Sequence, residues 1–124
     1  MKSNYSKNKK IGDKGEELVR KYAEEKLNFT FVDKNVKFNK FGSGEIDLIF
    51  KDKNFLVFAE VKTRKDESFV DILESIGERK IRAMKRAGTY YIYQNNLHDL
   101  PCRIDVFTLN KKTKEIKHYK DILN

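Results

Sequence analysis

Three acidic residues and a lysine interrupt two otherwise apolar stretches of the chain: Glu45, Asp47, Glu60 and Lys62. Charged side chains are depleted inside β-strands, so such a set in two neighbouring strands is an unusual pattern. Carboxylates that face each other repel, and a bound divalent cation relieves that repulsion. Mg²⁺ is usually held by one or two carboxylates together with water and phosphate oxygens. The pattern therefore predicts a metal site for phosphate chemistry, in which Lys62 orients a water or offsets charge on the phosphate.

Parity along the two predicted strands places these charged groups together. Residues two apart in a strand share a face, so each strand presents its own charged pair on one side. If Phe50 pairs with Phe55 across the turn, all four side chains lie on the same face. Glu45 then lies opposite Glu60, and Asp47 lies diagonal to it. A slip of one residue would turn Asp47 to the other face, so the prediction depends on the register.

The same residues allow a structural interpretation. Glu45 and Glu60 would then lie on a solvated sheet face and pair with Lys62 and Arg64. Leu56 and Phe58, in the strand that carries Glu60, share that face, which argues against full exposure. The catalytic interpretation is therefore favoured.

A further carboxylate, Glu16, falls at the edge of the apolar side of the helix predicted for residues 13–27. From there it could reach the same cleft as the strand carboxylates. The other interpretation is local, because Asp13 is a good N-cap and Glu16, three residues later, completes a capping box. Both interpretations stay open.

The second predicted helix, which begins at Ser75, carries a basic stripe. Arg79, Arg82 and Arg86 cluster on the side opposite its apolar residues, where they suit contacts to nucleic-acid phosphates. Lys80 falls towards the apolar side, so it points to the sheet or the cleft, or it snorkels to solvent. A merely solvated helix face is the alternative for the stripe.

Composition bounds the class of protein. The 124 residues include 27 Lys and Arg against 19 Asp and Glu, which gives a formal net charge of +8 and favours a polyanionic partner, most simply DNA. The mean hydropathy is −0.74, and no apolar run reaches the roughly 20 residues of a membrane span. The single cysteine excludes an intramolecular disulfide, so we expect a cytoplasmic protein without membrane partners. Cys102 is predicted in the core, and His98 and His118 on the surface.

Hydrophobic periodicity predicts an α/β fold with a mixed central sheet flanked by helices. Residues 1–10 contain four lysines and no acid, and we expect a flexible basic tail followed by a single domain at 11–124. The third strand is apolar on both faces, which predicts a central position in the sheet. The predicted strands are 29–38, 45–50, 55–63, 102–109 and 115–119.

Asp47, followed by Glu60-Val61-Lys62 after the hairpin, resembles the PD-(D/E)xK nuclease signature. A wider set of residues is more specific: Gly15-Glu16, Asn35, the segments 44–49 and 57–64, Lys80 and the segment 102–106. On these residues the chain resembles the YraN-like (UPF0102) family of small bacterial endonuclease-like proteins, which is similar to archaeal Holliday-junction resolvases. The resemblance extends over about residues 11–123.

This resemblance implies a restriction-endonuclease-like αβββαβ core. It makes Asp47 and Glu60 the catalytic metal ligands, with the backbone carbonyl of Val61 as a further ligand. Lys62 would position the attacking water or stabilise the transition state. Glu16 would be the additional acidic residue that resolvase-like members carry on the first helix.

The predicted function is a Mg²⁺- or Mn²⁺-dependent DNA endonuclease, with Glu45 supporting the metal ligands from beside them. Arg64, Arg79, Lys80, Arg82 and Arg86 would contact nucleic acid, and the likeness to resolvases implies a homodimer. Two other classes remain open. One is a non-catalytic nucleic-acid-binding module on the same fold, and the other is a protein-interaction domain.

Overall fold

The computed structural model of this protein describes residues 2–39, 44–65 and 72–123, with side chains at 14–39, 44–65 and 74–123. Within these ranges the helices are α1 (Lys2–Lys26), α2 (Ile72–Ile76) and α3 (Glu78–Gln94). The strands are β1 (Thr30–Phe38), β2 (Gly44–Asp52), β3 (Phe55–Arg64), β4 (Cys102–Asn110) and β5 (Ile116–Tyr119). No helix within the same ranges is long and apolar enough to cross a membrane.

The strands form one mixed sheet in the order β1-β2-β3-β4-β5. β3 and β4 run parallel, whereas the other neighbouring strands run antiparallel. The connection between the parallel strands carries α2 and α3, since parallel neighbours need a long crossover. The predicted α/β class, the mixed sheet and the central position of the third strand are confirmed.

The sheet separates two hydrophobic cores. The core on the α1 side consists of Val19, Ala23, Phe29, Leu48, Phe50, Val57, Ala59 and Phe107. The core on the α3 side consists of Ile46, Ile49, Leu56, Phe58, Met84, Ala87, Tyr91 and Ile104. β3 contributes alternate residues to both cores, so both of its faces are buried.

The first helix begins earlier than its sequence pattern suggests. α1 starts at Lys2, so the predicted N-cap at Asp13 and its capping box with Glu16 are wrong. The preceding residues contain no proline, and lysine is a good helix former, so nothing stops the helix there. α1 therefore continues without interruption through the predicted boundary at residue 10. The division into a tail and a domain stays a prediction.

The second predicted helix is divided in two. α2 ends at Ile76, and Gly77 follows with φ of +83°, a conformation that glycine adopts without steric cost. α3 then begins at Glu78 with no side-chain cap at Gly77. The predicted start at Ser75 is wrong because Gly77 interrupts the helix.

The hairpin between β2 and β3 is tighter than predicted. Its strands continue to the pair Asp52–Phe55, which leaves a two-residue loop in which Lys53 has φ of +55°. Phe50 therefore pairs with Val57 instead of its predicted partner, Phe55. The register differs by two residues, and a shift of two preserves the face on which each side chain lies.

A buried carboxylate in β4 connects the C-terminal part of the chain. Asp105 is fully buried and accepts hydrogen bonds from Arg103 Nε at 3.0 Å, His118 Nε2 at 2.7 Å and the Asp121 amide at 2.9 Å. Burial alone would raise the pKa of Asp105, but these donors lower it below its ordinary value. The predicted surface position of His118 is wrong, because this contact half-buries its ring.

Two smaller predictions have opposite outcomes. Cys102 is exposed at the first position of β4, so its predicted core position is wrong. His98 is exposed, as predicted.

Candidate functional site

Asp47 lies where β2 and β3 part. The ladder of backbone pairs ends at Leu48–Ala59, and a regular continuation would next pair Val61 with Ile46 through hydrogen bonds. Instead, Oδ2 of Asp47 accepts the Val61 N–H at 2.9 Å. The N–H and C=O of one strand residue point to the same edge, so the Val61 carbonyl also faces this opening.

A break in the pleat of β2 makes this contact possible. Ile46 packs in the α3-side core and Leu48 in the α1-side core, although residues two apart in a regular strand share a face. On β1, Asn35 lies opposite Asp47, between the backbone pairs Lys34–Leu48 and Val36–Ile46. Its φ is +51°. Asparagine tolerates this left-handed conformation better than most residues. Both strands therefore depart from regular geometry at the level of Asp47.

Glu60 is a buried carboxyl on the α3 side of β3. Only 7% of the residue is exposed, and its Oε1 has no hydrogen-bond partner. The pKa of Glu60 is raised from 4.5 to about 8, first by burial and then by the charge and hydrogen bonding of Asp47. Near neutral pH the Glu60 carboxyl is thus largely protonated and can donate a hydrogen bond to the Asp47 carboxylate.

Two lysines oppose that shift in pKa. Lys80, from the first turns of α3, places its Nζ 3.6 Å from Oε1 of Glu60. Lys62 lies two residues after Glu60 on the same face of β3, and its positive charge also lowers the pKa of Glu60, by less than that of Lys80. Of the two orientations predicted for Lys80, the structure has the one towards the sheet.

The oxygen donors at this opening fit a hard cation. They are the carboxylates of Asp47 and Glu60, and the Val61 carbonyl faces the same side. Among the side chains that the structure describes, no group of three or more His, Cys, Asp or Glu residues could hold a metal. Two carboxylates without nitrogen or sulfur ligands suit Mg²⁺ or Mn²⁺, which complete their shell with water and substrate oxygens. The buried Oε1 of Glu60, without a hydrogen-bond partner, is an acceptor that such a cation would satisfy.

A groove beside these carboxylates carries several cations. It lies between α3 and the adjoining ends of β1 and β2, and is lined by Lys37, Asn39, Gly44, Glu45, Ile76, Arg79, Lys80, Ala83 and Arg86. β2 approaches α3 closely because Gly44 has no side chain. A Cβ at that position would lie 2.6 Å from the Ala83 carbonyl oxygen. The groove thus combines four basic side chains with one acid.

The remaining predicted residues lie around this centre. Glu45 is paired with Lys37 of β1 and lines the groove. The β2–β3 ladder ends at Leu48–Ala59, in a register that brings Asp47 level with Glu60, so the predicted position of Glu45 opposite Glu60 is wrong. That error follows from the two-residue difference in register. Lys37 itself was not singled out, because nothing in the sequence distinguishes it from Lys34, the other lysine of β1.

The other predicted contacts to nucleic acid differ in their surroundings. Arg82 is exposed and pairs with Glu78 at 3.6 Å, one helical turn away. Arg64 contacts the hydroxyl of Ser75 and so connects the end of β3 with α2. Arg79 and Arg86 are exposed along the groove, where the sequence analysis expected a basic stripe.

Glu16 lies on α1, which packs on the opposite face of the sheet from Lys80. Its neighbour Gly15 contacts the ends of β3 and β4, where a Cβ would lie 3.5 Å from both Thr63 and Leu109 side chains. The Glu16 carboxylate is half-buried, with its Oε1 shielded from solvent. Its participation in the same site as Asp47 and Glu60 stays a prediction.

Comparison with known proteins gives the family. The model of the uncharacterised protein family UPF0102 matches residues 15–109 of the chain. The chain belongs to the UPF0102 family. The matched range includes Asp47, Val61, Glu60 and both lysines, so the whole candidate site lies within the UPF0102 region.

Individual UPF0102 proteins match over most of their length. One from Carboxydothermus hydrogenoformans is 33% identical over 118 residues, which cover 94% of this chain and 97% of that protein. One from Colwellia psychrerythraea is 36% identical over 109 residues, covering 84% and 81% respectively. One from Idiomarina loihiensis is 34% identical over 98 residues, covering 77% and 82%. The resemblance to UPF0102 noted in the sequence is thus confirmed.

Proposed function

We propose that this protein is a Mg²⁺- or Mn²⁺-dependent DNA endonuclease of the PD-(D/E)xK type, with a resolvase-like, restriction-endonuclease-like core. The observation that carries the proposal is the pair Asp47 and Glu60 at the point where two strands part. A buried carboxyl next to a second carboxyl, with an acceptor oxygen that has no hydrogen-bond partner, is unfavourable for stability alone. Such perturbed pairs are typical of functional sites.

The side chains around this pair supply complementary roles. Asp47 and Glu60 would bind the cation, with the Val61 carbonyl facing the same opening. When bound, the cation supplies positive charge that polarises the phosphodiester and activates water for attack. Lys62 lies close enough to Glu60 to lower its pKa and would hold the attacking water or offset charge on the phosphate. Hydrolysis would leave a 5′-phosphate, as the likeness to resolvases implies.

The basic groove would hold the DNA backbone. Arg79, Arg86 and Lys37 are long cationic side chains that can bind phosphates without reading base sequence. Because the groove also includes Lys80, which pairs with Glu60, a bound backbone would pass next to the carboxylates. Binding of this kind depends strongly on salt and weakly on sequence.

A nicking assay on branched and linear DNA tests the function. We expect cleavage with Mg²⁺ or Mn²⁺, none with EDTA, and none with Asp47→Asn or Lys62→Gln at unchanged DNA affinity. Arg82→Gln is a matched control, since Arg82 lies on α3 and pairs with Glu78. It should cleave at nearly the wild-type rate.

Other outcomes would identify the alternatives. Salt-dependent DNA binding without cleavage of any substrate would contradict the nuclease proposal and support a binding module, which the basic groove alone would explain. Absence of DNA affinity even at low salt would contradict both and leave a protein-interaction domain.

A further inference from the structure

Lys80 borders two environments at once. Its Nζ lies 3.6 Å from the buried Oε1 of Glu60, and the same side chain is 35% exposed and lines the basic groove next to Arg79. At 3.6 Å the contact is an ion-pair distance but longer than a hydrogen bond. The ammonium therefore approaches Glu60 without being bound there by a direct hydrogen bond.

A divalent cation and the Lys80 ammonium would compete for the same carboxylate. Glu60 is mostly buried, so charges around it are weakly screened by water and salt. A cation bound between Asp47 and Glu60 would repel an ammonium a few ångström away. It would also use the Glu60 oxygens that now attract Lys80.

The groove offers Lys80 a second position. Lysine has a flexible four-carbon stem and a compact charge, so it can reorient without moving the helix. Arg79 and Arg86 line the same groove, and their charges make it unfavourable for another free ammonium. A nucleic-acid phosphate in the groove would make the local electrostatic potential negative and attract Lys80.

We propose that Lys80 moves between Glu60 and a phosphate in the groove, and that it thereby couples cation binding to nucleic-acid binding. This inference rests on the metal site of the proposed function. Lys80 is a positioning residue in this scheme. In the metal-free protein its ammonium lies beside Glu60, and in the metal-bound protein it turns to the groove and strengthens binding of the DNA backbone. Because such coupling is reciprocal, DNA should also strengthen cation binding.

Calorimetric titration with Mn²⁺ in the absence of nucleic acid tests whether Lys80 competes with the cation at Glu60. Lys80→Gln removes the competing charge, so we expect it to bind Mn²⁺ about fivefold more tightly than the wild type. Arg79→Gln removes a neighbouring groove cation that has no ion pair with Glu60, and it should leave Mn²⁺ affinity within about twofold. Lys80→Met keeps the aliphatic stem and should repeat the result if Lys80→Gln is poorly folded.

A comparison of DNA affinity in EDTA and in Ca²⁺ tests whether a bound cation makes Lys80 available to DNA. Ca²⁺ takes oxygen ligands like Mg²⁺. Lys80→Gln should lose less DNA affinity in EDTA than in Ca²⁺, so that its gain in affinity on addition of Ca²⁺ is about fivefold smaller than that of the wild type. Arg79→Gln should bind more weakly under both conditions by the same factor.

The outcomes separate the two proposals. Unchanged Mn²⁺ affinity in both Lys80 variants, with DNA affinity reduced as in Arg79→Gln, would overturn the coupling and make Lys80 an ordinary groove cation. A wild-type protein that binds no divalent cation would overturn the metal site of the proposed function and this inference with it.

Discussion

The carboxylate of Asp47 accepts the backbone N–H of Val61 at 2.9 Å, in place of the backbone carbonyl that a regular hairpin would supply. This hydrogen bond satisfies a main-chain donor at the point where β2 and β3 separate. It also holds the carboxylate beside Glu60. Asp47 thus has a structural role, as acceptor of the Val61 N–H, and a proposed chemical role, as a metal ligand. Variants of Asp47 can separate the two roles.

Asp47→Asn and Asp47→Leu should differ in stability. The Asn amide oxygen can still accept the Val61 N–H, so we expect Asp47→Asn to unfold at a denaturant midpoint equal to or slightly above that of the wild type. Asp47→Leu leaves that N–H without a partner and should be less stable than Asp47→Asn by about 1–3 kcal/mol. Urea denaturation measures both. Equal stability of the two variants would show that the hydrogen bond contributes nothing.

Glu60→Gln should change how stability depends on pH. Since the pKa of Glu60 is raised from 4.5 to about 8, the folded protein retains a proton that the unfolded chain releases between these values. The contribution of the Glu60 carboxyl to the free energy of unfolding is complete below pH 4.5 and is lost as the pH rises towards about 8.

Glutamine does not titrate, so Glu60→Gln should gain unfolding free energy over the wild type as pH increases from about 5 to about 8.5, with an upper limit of about 1.4 kcal/mol per pH unit. Urea midpoints across this range provide the measurement. A constant difference at all pH values would contradict a raised pKa.

Cation binding should release a proton below about pH 8. A metal ligand must be deprotonated, and the Glu60 carboxyl is largely protonated in this range. We expect Mn²⁺ affinity to rise by up to about tenfold per pH unit towards pH 8 and then to level off. Calorimetry in buffers of different ionisation enthalpy counts the protons. Affinity that does not change with pH would mean that Glu60 is not a ligand.

Two glycine variants test the approach of β2 to α3. A Cβ at Gly44 would lie 2.6 Å from the Ala83 carbonyl oxygen, so Gly44→Ala must displace the strand or the helix. We expect a loss of about 1–3 kcal/mol and weaker DNA binding, since the groove changes shape.

Gly15→Ala is the control, because its Cβ would meet only ordinary contacts at 3.5 Å inside α1. Gly15→Ala should raise the free energy of unfolding by about 0.5–1 kcal/mol, because alanine is the better helix former. A more stable Gly44→Ala would contradict the close approach.

The groove arginines should control the salt dependence of DNA binding. Each phosphate contact that is lost reduces the slope of log affinity against log salt by about 0.9. We expect Arg79→Gln and Arg86→Gln each to lower the slope by that amount, and Arg82→Gln to lower it less because Arg82 pairs with Glu78. Filter binding at several salt concentrations measures the slope. Equal slopes in all three variants would contradict binding along the groove.

Much of the fold could be predicted because local patterns determine it. β1 to β5 follow the alternation and turn residues of the sequence, and their bounds differ from prediction by two residues or fewer. Asp47 was also expected close to Glu60, and its charge and hydrogen bonding do act on that carboxyl, but neither the register nor the break in β2 was predicted.

The remaining features depend on tertiary contacts that no local pattern encodes. The contact of Lys80 with Glu60 joins a helix to a strand 20 positions earlier, and a helical wheel gives only the approximate direction of Lys80. The break in β2 lies opposite Asn35, a residue of a different strand with φ of +51°. His118 is half-buried because Asp105, distant in sequence, needs its hydrogen bond. Such positions require the assembled sheet.

Anomalous diffraction from crystals soaked in Mn²⁺ tests most directly whether Asp47 and Glu60 together bind a divalent cation. We predict a single strong peak bounded by both carboxylates and the Val61 carbonyl, at about 2.1 Å from its oxygen ligands, with Lys80 turned away from Glu60. An empty position at saturating Mn²⁺, with Lys80 still paired to Glu60, would contradict the metal site.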